Sequence, residues 1–346
     1  MQGSVYRFAA VLLGVAGFAH GAAADDFVPG PVTATTISVG GGFQFLSLPD
    51  IRFTGVGHPG SFTRQKNSDF GEYGGVGGGA IETRLGHFGD TLVTGQVRGF
   101  FASIEGDGNR HCSGGCVLIN PENGTADGFG YLRTKTHREV DYWGGAVETK
   151  FWSLDSVQVR PNLYRNDYFI LGGEVRGIDQ DSRLHGRDAS GGTIFTYSET
   201  LDTTYYGGYV GICGEYSLGF LGVSGITDRF GLRSFISARA GVYGVETDYK
   251  GAFAQGPGNS ALSGSDDDVA FIGTLSFETR KDLGPRSSIG LYTDYEYISS
   301  VPEMRYGADD TPTRIDSGDA FASRTVLRLN IGLGPSGLYQ QAPAYK

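Results

Sequence analysis

Residues 269–299, VAFIGTLSFETRKDLGPRSSIGLYTDYEYIS, read as two strands joined by a polar turn, Lys281 to Ser287, with Gly284-Pro285 at its centre. In the first strand Val269, Phe271, Gly273, Leu275 and Phe277 share one face; Ala270, Ile272, Thr274, Ser276, Glu278 and Arg280 share the other. In the second, Ile289, Leu291, Thr293, Tyr295 and Tyr297 alternate with Gly290, Tyr292, Asp294, Glu296 and Ile298. A period of two with one apolar and one polar face marks a half-buried strand. The polar face carries both signs of charge. It either meets solvent or lines a barrel whose apolar face meets lipid.

The rest of the chain favours the barrel. At its start, Arg7 precedes an apolar run from Phe8 to Ala19, and small residues follow, ending Ala22-Ala23-Ala24. That is the layout of a cleaved secretory signal, so residues 1–24 are expected to leave before Asp25. A short leader (25–34), a barrel (35–334) and a C-terminal tail (335–346) would follow. The 346-residue chain has a net charge of −10, which argues against nucleic-acid binding. With 58 Gly, 22 Phe and 19 Tyr, it suits strands and turns better than a helical core.

Alternation places strands at 35–46, 76–85, 91–104, 139–152, 156–176, 203–216, 231–246, 269–280, 288–298 and 320–334. The links after strands one, three, five, seven and nine are long and polar. Those after two, four and eight are short, and only the one after six is longer. An antiparallel, up-and-down transmembrane barrel of about 10–12 strands has that rhythm, with short periplasmic turns and long extracellular loops. Residues 128–136 also look strand-like and could pair with the projecting end of strand five. The chain resembles the bacterial, Gram-negative outer-membrane β-barrel proteins over about residues 35–334, including the alternating apolar strand near the C-terminus. That resemblance implies both termini in the periplasm, and as partners membrane lipid, lipopolysaccharide and the barrel-assembly machinery. Its porin-like members imply passive passage of small polar solutes.

By this register Gln44, Glu82, Arg84, Gln96, Arg98, Glu148, Lys150, Arg160, Glu278, Arg280, Asp294, Glu296, Arg324 and Arg328 face the lumen. They would either pair off and close it or line a narrow pore. Tyr142, Trp143, Phe151, Trp152, Tyr205, Tyr206, Tyr209, Tyr295 and Tyr297 are expected at the membrane interfaces. Cys112 and Cys116 flank Ser-Gly-Gly in an exported loop and are expected to form a disulfide. Cys213 reads as a small buried or lipid-facing residue. No metal, cofactor or catalytic set is expected. Gly74–Gly79 opens no helix, and Asp266–Asp268 lack calcium-loop spacing. The leading expectation is porin-like passage through a narrow charged lumen, without enzymatic activity. The alternative is a closed barrel with a structural or adhesin-like role carried by its loops. A rim hydrolase would have to recruit His58, His137 or His185 with a loop carboxylate.

Overall fold

The computed structural model describes residues 33–52, 54–65, 72–89, 91–152, 158–160, 163–164, 167–216, 232–284, 286–305 and 313–336. The expected signal (1–24), most of the leader and most of the tail lie outside the described residues. The strands are β1 (Thr33–Ser47), β2 (Thr54–His58), β3 (Ser61–Gln65), β4 (Glu72–Phe88), β5 (Thr91–Ile119), β6 (Ala126–Trp152) and β7 (Gln158–Arg160). They continue as β8 (Leu163–Tyr164), β9 (Asp167–Arg187), β10 (Thr193–Tyr216), β11 (Leu232–Gln255), β12 (Gly258–Gly284), β13 (Ser287–Arg305) and β14 (Arg314–Ser336).

Ten of these form a closed antiparallel ring. β1 pairs with β4, β4 with β5, β5 with β6 and β6 with β9, and β9 to β14 pair in succession. β14 then returns to β1. Closure leaves no unpaired sheet edge in the membrane, where an unpaired backbone group is costly. The barrel is the expected one, but much of the predicted loop sequence is strand. The expected loops 105–128, 177–201, 247–267 and 300–319 extend β5, β6 and β9 to β14 beyond the membrane. Residues 128–136 belong to strand β6 itself, and strand five runs later than expected, as β9. Gly and charged residues hid these extensions. Both of their faces can be polar or neutral outside lipid, so hydropathy does not alternate there.

Outside, the strands bare large apolar side chains, from one in β5, β6 and β11 to five in β12 and β14. Val147, Leu171, Ile212, Val242, Leu275 and Leu327 are exposed examples. In β12 the row from Val269 to Phe277 is about nine residues long, what a tilted strand needs to cross the hydrocarbon. Above this belt, on the side away from the termini, the outward residues become acidic. Asp141, Asp179, Asp202 and Asp248 follow one another across β6, β9, β10 and β11, and Glu246 faces Asp267 across β11 and β12.

Inside, the lumen is filled in layers. Glu148, Glu174 and Arg98 lie nearer the termini. Above them is an apolar layer that includes Ile104, Val140, Ile178, Tyr205, Ile272 and Ile298. Further out, Cys112, Cys116, Leu118, Leu132, Leu184, Phe195 and Phe253 form a second apolar core, on which Val56 and Phe62 of the β2–β3 hairpin pack. Cys112 and Cys116 are joined as a disulfide across a bulge where Gly114 and Gly115 take φ of 76° and 80°. Only glycine adopts those angles without strain.

Arginine in place of Leu275 is expected to lower unfolding free energy by about 2–4 kcal/mol. The same change at Ser263, beyond the belt, should cost almost nothing. Urea unfolding in lipid vesicles measures both.

Candidate functional site: a charged septum and a cationic vestibule

The inward-facing charges form two zones. The first is a septum across the barrel. Arg176 bonds Glu174 and Glu296 at 2.6 Å each and donates to the Tyr142 hydroxyl at 2.9 Å. Tyr142 in turn donates to Glu296. Arg98 lies 3.5 Å from Glu148 and 3.6 Å from Glu174, and Arg239 lies 3.6 Å from Glu148. Tyr209 donates to Glu148 at 2.7 Å and Tyr243 to Glu174 at 3.2 Å. Asp294 holds Arg324, whose guanidinium lies over the Phe100 ring. The cavity left within this layer is about 10 Å³, room for about one water. A layer this tightly paired cannot carry hydrated solutes.

The second zone is a vestibule of about 600 Å³ at the end that bears the termini and short turns. Among the described residues, eight basic side chains line it (Arg98, Lys150, Arg233, Arg239, Arg280, Arg286, Arg324 and Arg328) against three acidic ones (Glu82, Glu278 and Asp282). Several of the cations are neutralised: Lys150 by Glu82 at 2.7 Å, Arg98 and Arg239 by Glu148 in the septum, and Arg324 by Asp294. Three of the others stand on one inner row. Arg233 of β11 stands directly across from Arg280 of β12, and Arg280 is followed by Gly290 of β13 and Arg328 of β14. Like charges opposed across strands repel, so the row needs anions. Glu278, tucked against Gly290, serves both Arg280 at 2.9 Å and Arg328 at 3.5 Å. Arg233 takes Glu215 at 2.7 Å. Arg233 and Arg280 both lie over the Phe235 ring, and Arg328 over Tyr292.

Of the residues expected inside, Gln44, Glu82, Arg84, Gln96, Arg98, Glu148, Lys150, Glu278, Arg280, Asp294, Glu296, Arg324 and Arg328 lie on the inner face. Arg160 does not join them: β7 pairs only with β8, outside the barrel sheet, and its side chain lies outside the described residues. Glu174, Arg176, Arg233, Arg239 and Glu215 complete the site but were missing from the expected set. Their strand parity could have found them. In β11, however, the outward Ala238, Ala240 and Gly244 are too small to mark a lipid face. The expected interfacial aromatics also divide by parity. Trp143, Phe151, Tyr206, Tyr295 and Tyr297 point outward, whereas Tyr142, Trp152, Tyr205 and Tyr209 are buried inside. Cys213 faces inward onto the vestibule.

Above the lipid belt, on the outer wall, His137 is held between Asp107 (3.0 Å from Nδ1) and Glu139 (3.2 Å from Nε2). The hydrogen bond to Asp107, then that to Glu139, raises its pKa above the ordinary histidine value.

No protein-family model matches the chain, and no curated protein does. Among solved structures, the outer membrane protease OmpT from Escherichia coli matches with a TM-score of 0.49 at 12% identity, over 89% of this chain and 99% of that one. A Pseudomonas aeruginosa FadL homologue matches at 0.22 and 8% identity, over 86% and 89%. The Pseudomonas putida toluene transporter TodX matches at 0.21 and 8% identity, over 88% and 90%. The architecture is that of an outer-membrane β-barrel. Two expectations are corrected here. The solved structure matched at 0.49 is that of a protease and not of a porin, and porin-like passage and the absence of enzymatic activity are both withdrawn. The blocked septum gives the physical reason for the first.

Arg176→Met leaves Glu174 and Glu296 without their shared cation. It is expected to lower unfolding free energy by about 3–5 kcal/mol, read from the urea midpoint. The wild-type barrel should carry no steady current in a planar bilayer.

Proposed function

We propose that the barrel binds a small anionic molecule in the vestibule, which is blind because the septum and the two apolar layers lie behind it. The observation that carries this reading is the Arg233–Arg280–Arg328 row, where Arg280 and Arg328 share the single carboxylate of Glu278. Guanidiniums bind carboxylate and phosphate through paired, charge-assisted hydrogen bonds, more strongly than neutral donors do. The aromatic faces under these arginines hold the cations in place beside the vestibule. A pocket of this volume suits a small ligand. With the short turns in the periplasm, as in other outer-membrane barrels, the ligand arrives from that side.

Trp152 lines the vestibule and Trp143 faces outward, so a Trp143→Phe chain reports on the vestibule alone. Inorganic pyrophosphate titrated into this chain should change its fluorescence saturably. Arg280→Gln and Arg328→Gln should each weaken binding about tenfold or more, the worth of one charge-assisted contact. An unsaturable response, or one that both variants leave intact, would overturn the site.

A second reading is hydrolysis at the outer rim. One observation favours it: Asp107 holds Nδ1 of an accessible histidine, the pairing that fixes an imidazole for accepting a proton from water through Nε2. Glu139 must swing aside for this. Because the pKa of His137 is raised, the neutral base forms only above the usual histidine range, and cleavage should climb with pH through that higher value. Incubating the refolded barrel with a mixed peptide library, read by mass spectrometry, tests it. Cleavage should vanish in His137→Ala and fall at least tenfold in Asp107→Asn.

A further inference from the structure

Between the two apolar layers lies a polar niche that neither reading uses. Glu72 opens β4 on the inner face and is 3% exposed, yet neither carboxyl oxygen has a hydrogen-bond partner among the described residues. It fits because Gly106 of β5 has no side chain, and the carboxyl occupies the space a β-carbon would need. From β6, Arg138 reaches into the niche. One of its nitrogens donates to Gln180 Oε1 at 2.6 Å, and the other to the carbonyl of Pro49 at 3.3 Å.

Pro49 belongs to the segment that follows β1, where Leu48 and Ile51 are 5% and 4% exposed. Leu48 enters the inner apolar layer and Ile51 the outer one, and the Pro49 ring rests against Gly318 of β14. Residues 48–51 are therefore a strap across the barrel mouth, and the longer of the two Arg138 bonds ties its backbone.

We infer that Glu72 is a proton-binding site that controls this strap: the neutral acid leaves Arg138 to Pro49, and the carboxylate draws Arg138 away and loosens residues 48–51. A buried carboxylate with no partner is costly, whereas the neutral acid is much less so. Burial accordingly pushes the Glu72 pKa up to about 7, against the opposing pull of Arg138 and His137. The niche lies outside the lipid belt, one step from Asp107 and His137. Besides those two cations of β6, the charged groups around the niche and the strap are Asp107 of β5, Asp50 beside Arg52 on the strap, and Glu303 of β13, whose pKa burial also raises; β1 contributes Leu46 and Gln44, and β5 contributes Gly106.

The sign follows from the raised pKa. The folded state holds the proton more tightly than the unfolded chain, so stability at the mouth is greatest in acid and is lost as pH rises toward 7. Amide hydrogen exchange of residues 48–52, corrected for the intrinsic pH dependence, reads the strap directly. In the wild type, protection should fall about tenfold between pH 6 and pH 8.5, what one charge-assisted hydrogen bond is worth. The turn at Asp188–Gly192, far from the niche, should show no such change. Glu72→Gln, which cannot ionise, should stay protected at both pH values. Arg138→Gln should be unprotected at both. Heat-modifiable gel migration confirms that each variant still forms a barrel. If either fails to, Glu72→Asp, which retains the titration, should reproduce the wild-type fall. A wild type without the fall, or a Glu72→Gln chain that keeps it, would overturn the inference.

Discussion

A ring of strands that closes on itself has satisfied its backbone and must still fill its own interior. In this chain that constraint governs everything else. Ten strands enclose more space than aliphatic side chains alone occupy at the level of the membrane, and the chain fills it with Arg, Glu and Tyr. Buried charge is tolerated only when paired, because each ion taken from water costs several kcal/mol. Hence the dense sharing in the septum, where Arg176 serves two carboxylates and Glu148 is shared by Arg98, Arg239 and Lys150. The pairing that makes the interior stable also shuts it.

Sharing has a limit, and the vestibule shows where it is reached. Among the described residues, eight basic side chains line the vestibule against three acidic ones, and Arg280 and Arg328 share the carboxylate of Glu278. Beyond the septum, the half away from the termini has the opposite character. Its two apolar layers form a core like that of a soluble protein, and the β2–β3 hairpin and the strap pack onto it. One barrel thus joins a water-accessible cationic bowl to an apolar stopper through a layer of ion pairs.

The barrel was legible in the sequence because lipid imposes a strict period of two. Phe271, Leu275 and Phe277 must face out, and Glu278 and Arg280 then cannot. Outside the membrane that constraint ends, and the sequence no longer alternates, so the long extensions of β5 and β6 read as loops. The same holds within the hairpin that first revealed the fold. Ala270 and Ile272 lie on its charged face, yet they are core residues, since the interior changes from ionic to apolar at their height. Glu278 and Arg328 were visible as inward charges. That two arginines share one glutamate was not, because it depends on the register of β12, β13 and β14 and on the gap at Gly290.

The outer wall has a consequence for how the barrel sits in its membrane. Asp141, Asp179 and Asp202 begin just where the apolar belt stops. Sinking the barrel by a single pair of residues would bring these carboxylates into hydrocarbon, at a cost of up to a few kcal/mol. Rising by the same amount would carry Trp143, the next outward residue of β6, from the belt into water, at about 25 cal/mol for each Å² of apolar surface exposed. Both displacements are uphill and steep. The molecule therefore floats at a fixed draught, and whatever the vestibule and the rim do, they do at a constant height above and below the lipid.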